Sequence, residues 1–168
     1  MKMTKRIICA VLALLCCLGC VVLMSACDEE QGGNGDNNLF YVEYKGVRIE
    51  LDTSADQVLA ALGKAKYEDN LGDCGGIGVQ MKYTYSDISV NTLKEEDGEK
   101  IHKISFTNDL VSTPKGIYIG SSEQAVLDAY GSATGNEDGR LTYKSGDLEL
   151  EFSIKDGKVS AINYRRIR

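Results

Sequence analysis

His102 is the only histidine in the 168-residue chain. It lies near the start of a strand-like run and has the parity of Ile104 and Phe106. A metal centre needs several nitrogen, sulfur or oxygen ligands gathered together, and a triad needs a partnered nucleophile. No G-x-S-x-G, H-E-x-x-H or phosphate-loop motif accompanies it, so a partly covered structural histidine is expected. Cys74 is the one candidate nucleophile, set in the glycine-rich stretch "LGDCGGIGV". A reactive thiolate needs a nearby cation or helix N-terminus, and the adjacent Asp73 opposes it. An inert cysteine seating a loop is the expectation, with no enzyme activity and no cofactor.

Carboxylates are the remaining chemical resource. Asp147, Glu149 and Glu151 alternate along one strand-like run, and Glu95-Glu96-Asp97-Gly98-Glu99 forms an acidic turn. Acid–base work or calcium binding would need a concave site with unequal environments. These rows are expected to be solvated faces. The tyrosines Tyr41, Tyr44, Tyr83, Tyr85 and Tyr118 are divided between core and a contact patch, since Tyr is favoured at interfaces. The candidate interaction surface is accordingly Cys74, Gly75, Gly76, Tyr83 and Tyr85, in and beside the Glu68–Gly78 loop.

The other five cysteines belong to the first 27 residues. "MKMTKR" carries three positive charges, and Ile7–Met24 runs 18 residues without charge or proline. That is the pattern of a secretory signal, with an uncleaved single membrane span as the alternative. Met24-Ser25-Ala26-Cys27 resembles the bacterial lipobox. The resemblance implies lipidation of Cys27, cleavage after Ala26 and a cell-membrane location facing outward. Acyl chains would hold the domain to the leaflet, two or more of them firmly. Cys17-x-x-Cys20 falls inside the oily stretch and is no redox or zinc site. With residues 1–26 removed, only Cys27 and Cys74 remain, so no disulfide is expected within the domain.

Residues 27–38 contain three glycines and no aliphatic side chain, the composition of a flexible linker. Residues 27–168 keep 16 basic and 25 acidic side chains, a net charge of −9. Such a field repels nucleic acid, which is not expected as a partner. A protein partner at the cell surface is.

Positioning these residues falls to a domain spanning 39–168. With an offset of 68, "IELDTSADQVLAALGKA" lies over "IYIGSSEQAVLDAYGSA". Ser54 with Gln57 and Ser121 with Gln124 have capping-box spacing, and Gly63 and Gly131 suit helix ends. Val58, Leu59 and Leu62, or Val126, Leu127 and Tyr130, share a helix face. Lys82–Tyr85, Ile88–Leu93 and Ile101–Phe106 alternate as strands, as do Arg140–Tyr143, Leu148–Ile154 and Val159–Tyr164. In "DLELEFSI", Leu148, Leu150, Phe152 and Ile154 should face the core and Glu149 and Glu151 water. The expected fold is α+β: a tandem repeat of short helix plus three-stranded antiparallel meander, helices on one face of the sheet. Repeat one covers about 39–110 and repeat two about 115–168. A hairpin, "FYVEYKGVRIEL", opens the domain with a turn at Lys45-Gly46.

The order "EYKGVRIEL", "ADQVLAALG", "TPKGIYIG", "AVLDAYG", "DGKV" resembles a group of uncharacterised lipoproteins from Gram-positive gut anaerobes, over Tyr41–Tyr164. At the level of fold the plan is also similar to beta-lactamase-inhibitor proteins and to the SmpA/OmlA type of outer-membrane-assembly lipoprotein. These resemblances imply a lipid-anchored binding module outside the cytoplasm or, alternatively, an inhibitor or assembly factor for an envelope enzyme.

Overall fold

The opening hairpin pairs β1 (Tyr41–Tyr44) with β2 (Val47–Glu50), Tyr44 opposite Val47. Its two-residue turn has Lys45 and Gly46 at φ 52° and 75°, the mirror-image turn that matches strand twist. The computed structural model describes residues 39–73, 76 and 78–167. Cys27, the signal segment, the linker, Cys74 and Gly75 lie outside the described residues. Among the described residues, no helix is long and apolar enough to cross a membrane.

Helix α1 (Ala55–Leu62) follows the hairpin and buries Ala55, Val58 and Leu62. Four strands come next: β3 (Tyr67–Asp73), β4 (Val79–Thr84), β5 (Ile88–Glu95) and β6 (Gly98–Phe106). Helix α2 (Glu123–Tyr130) then precedes β7 (Gly135–Glu137), β8 (Arg140–Ser145), β9 (Leu148–Lys155) and β10 (Lys158–Arg166). All eight form one antiparallel sheet in the order β3-β4-β5-β6-β10-β9-β8-β7. The seam is β6 on β10, with Ile104 opposite Tyr164 and Ser105 opposite Asn163.

The tandem repeat of helix and three-stranded meander is therefore not what the chain builds. Among the described residues it makes two helices, a separate two-stranded sheet and one continuous eight-stranded sheet. The difference comes from β3, "YEDNLGD", and β7, "GNE". Both are outermost strands, paired on one side only, and neither shows the apolar alternation of a half-buried strand.

The core gathers one face of the sheet, both helices and the hairpin, through Val42, Ile49, Val58, Ile88, Ile104, Val126, Phe152 and Tyr164 among others. The segments before the helices are stitched to the strands beneath them. Ile101 N–H donates to the Thr53 carbonyl at 2.9 Å, and Val159 N–H to Ser121 at 2.8 Å. The capping boxes are not as expected. Ser54 caps α1 without a side-chain bond, while at α2 it is Ser122, not Ser121, whose hydroxyl accepts from Ala125 N–H. Ser121 Oγ accepts from Tyr118 N–H instead, at 3.1 Å.

Candidate functional site

The sheet face opposite the core is polar from strand to strand. One cross-strand row runs Lys82, Asn91, Lys103, Arg165, Glu149, Lys144, one residue from each of β4, β5, β6, β10, β9 and β8. Beside it runs Thr84, Ser89, Ser105, Asn163, Glu151, Thr142. At the usual strand spacing each row spans about 24 Å.

Half of this face is internally neutralised. Glu149 is only 2% exposed, with Lys144 Nζ 3.2 Å from its Oε2 and Arg165 Nε on its Oε1. Arg165 Nη2 also reaches Glu151 Oε2 at 3.5 Å. The expectation that Glu149 and Glu151 face water fails here. They point away from the core, as the alternation requires, but the stems of Arg165 and Lys144 cover them. A depression of about 360 Å³ lies over this network, bounded also by Thr134, Glu137 and Arg140.

The other half is less fully neutralised. Lys82 and Lys103 are half-buried and make no ion pair among the described residues, although Asp69 of β3 stands opposite Lys82 in register. Asn91 sits between them in register. Ser89, Ser105 and Asn163 line the adjacent row, Ser105 Oγ donating to Asn163 Oδ1 at 2.8 Å. Continued to Asp69 of β3, which stands opposite Lys82, the two rows hold four cations and three carboxylates, a small positive excess on an acidic chain. Chemically it offers ammonium, amide and hydroxyl donors to acceptor-rich surfaces.

The residues singled out from sequence are not gathered on this face. Tyr85 lies in the core, 4% exposed, and donates its hydroxyl to the Gly63 carbonyl. Tyr83 is half-buried two residues away on the same core-facing side. Burial, followed by the neighbouring Glu99, Glu68 and Asp56, raises its phenol above the ordinary value. Gly76 is exposed in the β3–β4 connection at φ 74°. Cys74 and Gly75, outside the described residues, cannot be related to them. His102 is half-buried and lies opposite no residue in β5, because Asn91 pairs with Lys103 and Thr92 with Ile101. This bulge breaks the parity expected with Ile104 and Phe106, and puts Ile101 in the core as well as Ile104.

A second concavity, about 540 Å³, opens between the first hairpin and the Leu110–Pro114 segment. At its wall Tyr44 donates to Asp87 Oδ2 at 3.0 Å and Asn108 Nδ2 donates to Oδ1 at 2.7 Å. Burial first, then the bond to Asp87, raises the Tyr44 phenol. Both carboxylate oxygens are engaged, and Lys45, Ser112 and Thr113 line the same concavity. Among the described residues no cluster of three or more His, Cys, Asp or Glu is arranged to hold a metal ion.

The polar rows were missed from sequence because their members look like ordinary solvent-facing strand residues. The usable signal was the pair Lys82 and Lys103, on strands separated only by β5.

No protein-family model and no curated protein matches the chain. Two solved structures are similar to it. A DUF4309 family protein (YjgB) from Bacillus subtilis is 15% identical, with a TM-score of 0.43, over 68% of this chain and 78% of that one. An extracellular protein containing a SCP domain from Bacillus anthracis is 12% identical, with a TM-score of 0.41, over 82% of this chain. The match spans 49% of that second protein's length.

Proposed function

We propose that this chain is a binding module held outside the cytoplasm by lipid on Cys27, and that it recognises an acidic protein surface through its polar sheet face. The carrying observation is that Lys82 and Lys103, in a broad donor-rich face, make no ion pair among the described residues. Burying two such cations against anything but an acceptor would cost several kcal/mol, roughly, so the face favours a partner that brings carboxylates. The small positive excess of this face on a chain of net negative charge also orients an approaching acidic partner. The linker composition of residues 27–38 would let the domain reach that partner from the membrane.

Zero-length carbodiimide coupling on intact cells tests the contact, since it joins lysine only to a touching carboxylate. A coupled species should form with the native chain and vanish in Lys82→Glu with Lys103→Glu. Reversing the exposed Lys64 and Lys155 should leave it. Coupling that survives the first pair would place the contact elsewhere. The anchor is tested separately: Cys27→Ala should accumulate as an unprocessed precursor, and normal maturation would refute lipidation there.

A further inference from the structure

The two edges of the sheet are unlike. β7 is three residues long and ends at the tight Asp138-Gly139 turn, a short edge of the kind that resists strand addition. β3 is seven residues long, exposed along nearly its whole length and contains neither lysine nor proline. In an antiparallel ladder alternate residues turn N–H and C=O away from the partner strand, so the regular stretch Tyr67–Asn70 turns backbone donors and acceptors outward, while beyond it the Gly72 N–H is taken by Asn70 Oδ1 at 2.8 Å. Tyr67 (59% exposed) and Leu71 (40%) lie on this strand, two of the five large exposed hydrophobics among the described residues. The β3–β4 register shifts between Asn70 and Gly72, which leaves Tyr67–Asn70 as the regular stretch.

From these features we infer that β3 accepts an extended, basic segment of a protein partner as a ninth strand. The backbone row supplies affinity, and Tyr67 with Leu71 supplies apolar contacts for alternate side chains. Charge selects the occupant. Glu68 and Asp69 make no ion pair among the described residues, and Lys82 opposite Asp69 on the inner side leaves a net acidic edge, so lysines or arginines across from it are favoured. A second copy of this chain pairing edge to edge would set the same acids against one another, which disfavours self-association. The inference rests on the β3 edge and does not require Lys103, although Lys82 stands opposite Asp69 in the β4 register.

The test uses the full chain in mild detergent and the blocked peptide Thr-Lys-Val-Lys-Val-Lys-Thr, followed by amide hydrogen exchange. At a peptide concentration ten times its Kd, exchange in Tyr67–Asn70 should slow roughly tenfold. The same peptide N-methylated at alternate residues should give no slowing, because it cannot complete the ladder. Glu68→Lys with Asp69→Lys should weaken binding about tenfold while leaving the circular dichroism spectrum unchanged. Lys103→Glu alone, on β6 and three strands away from β3, should leave it intact, which separates this inference from the sheet-face proposal. Equal binding of the N-methylated peptide, slowed amides elsewhere, or a dimer with β3 protected without peptide would each overturn it.

Discussion

The hydroxyl of Tyr85 donates to the carbonyl of Gly63, 3.3 Å away, at the C-terminal end of α1. Tyr143 makes the same bond to Gly131 at the end of α2, at 3.0 Å. Each helix is eight residues long, too short to persist alone in water, and its terminal carbonyls have no partner within the helix. A sheet tyrosine that satisfies one of them pins the helix end to the core. Both phenols are raised above the ordinary value, chiefly by burial.

Tyr85→Phe and Tyr143→Phe should therefore each lower stability by about 0.5–1.5 kcal/mol, the net worth of one hydrogen bond. Urea unfolding checks this through the midpoint, with an unchanged slope.

The covered carboxylates rank a second set of variants. Arg165→Ala removes the cation shared by Glu149 and Glu151, while Lys144→Ala removes only one of two cations on Glu149. Arg165 and Lys144 are themselves about half exposed, so the loss should fall below that of a fully buried pair. About 1–2 kcal/mol is expected for Arg165→Ala and less for Lys144→Ala, again read from urea midpoints.

Gly78 stands at φ 113°, and a Cβ there would lie 2.8 Å from the Lys94 carbonyl oxygen. Gly78→Ala adds strain and a clash with backbone, so a cost of about 1–3 kcal/mol is expected. Gly76, at φ 74° with open space around it, should lose no more than about 1 kcal/mol on the same change.

Tyr164 is one of six tyrosines whose phenols are raised, and it links stability to alkaline pH. It is wholly buried, with its phenol held well above the usual value of 10.0, mainly by desolvation and then by Tyr130. The unfolded chain releases this proton near pH 10 and the folded chain does not. The stability is thus fully present below pH 10 and falls as pH rises from there toward the higher folded value, by up to about 1.4 kcal/mol per pH unit. Tyr164→Phe should flatten that decline. At neutral pH it should change stability by no more than about 1 kcal/mol, because the sequestered hydroxyl makes no well-formed hydrogen bond. Thermal melts from pH 8 to 11 measure both.

Much of the fold was legible where apolar alternation exists. Leu150 and Phe152 mark β9, and Asp156-Gly157 marks its hairpin turn to β10. The edge strands were not, because "YEDNLGD" and "GNE" are recruited by backbone pairing to β4 and β8 rather than by burial. His102 misled for a related reason: a bulge changes parity without leaving a mark in composition. The face was harder still. Alternation assigns Glu149 and Glu151 to the side away from the core, but only the registers bring Arg165 and Lys144 over them. The same registers separate Lys82 and Lys103 by a single strand.

The most direct measurement is photo-cross-linking from the middle of the sheet face. A photoreactive residue at Asn91, between Lys82 and Lys103, should capture one acidic protein on intact cells, and charge reversal of the two lysines should abolish capture. The same group at Gln57, on the exposed side of α1, should capture nothing above background. Capture from Gln57 alone, or from Asn91 regardless of the lysines' charge, would contradict recognition by this face.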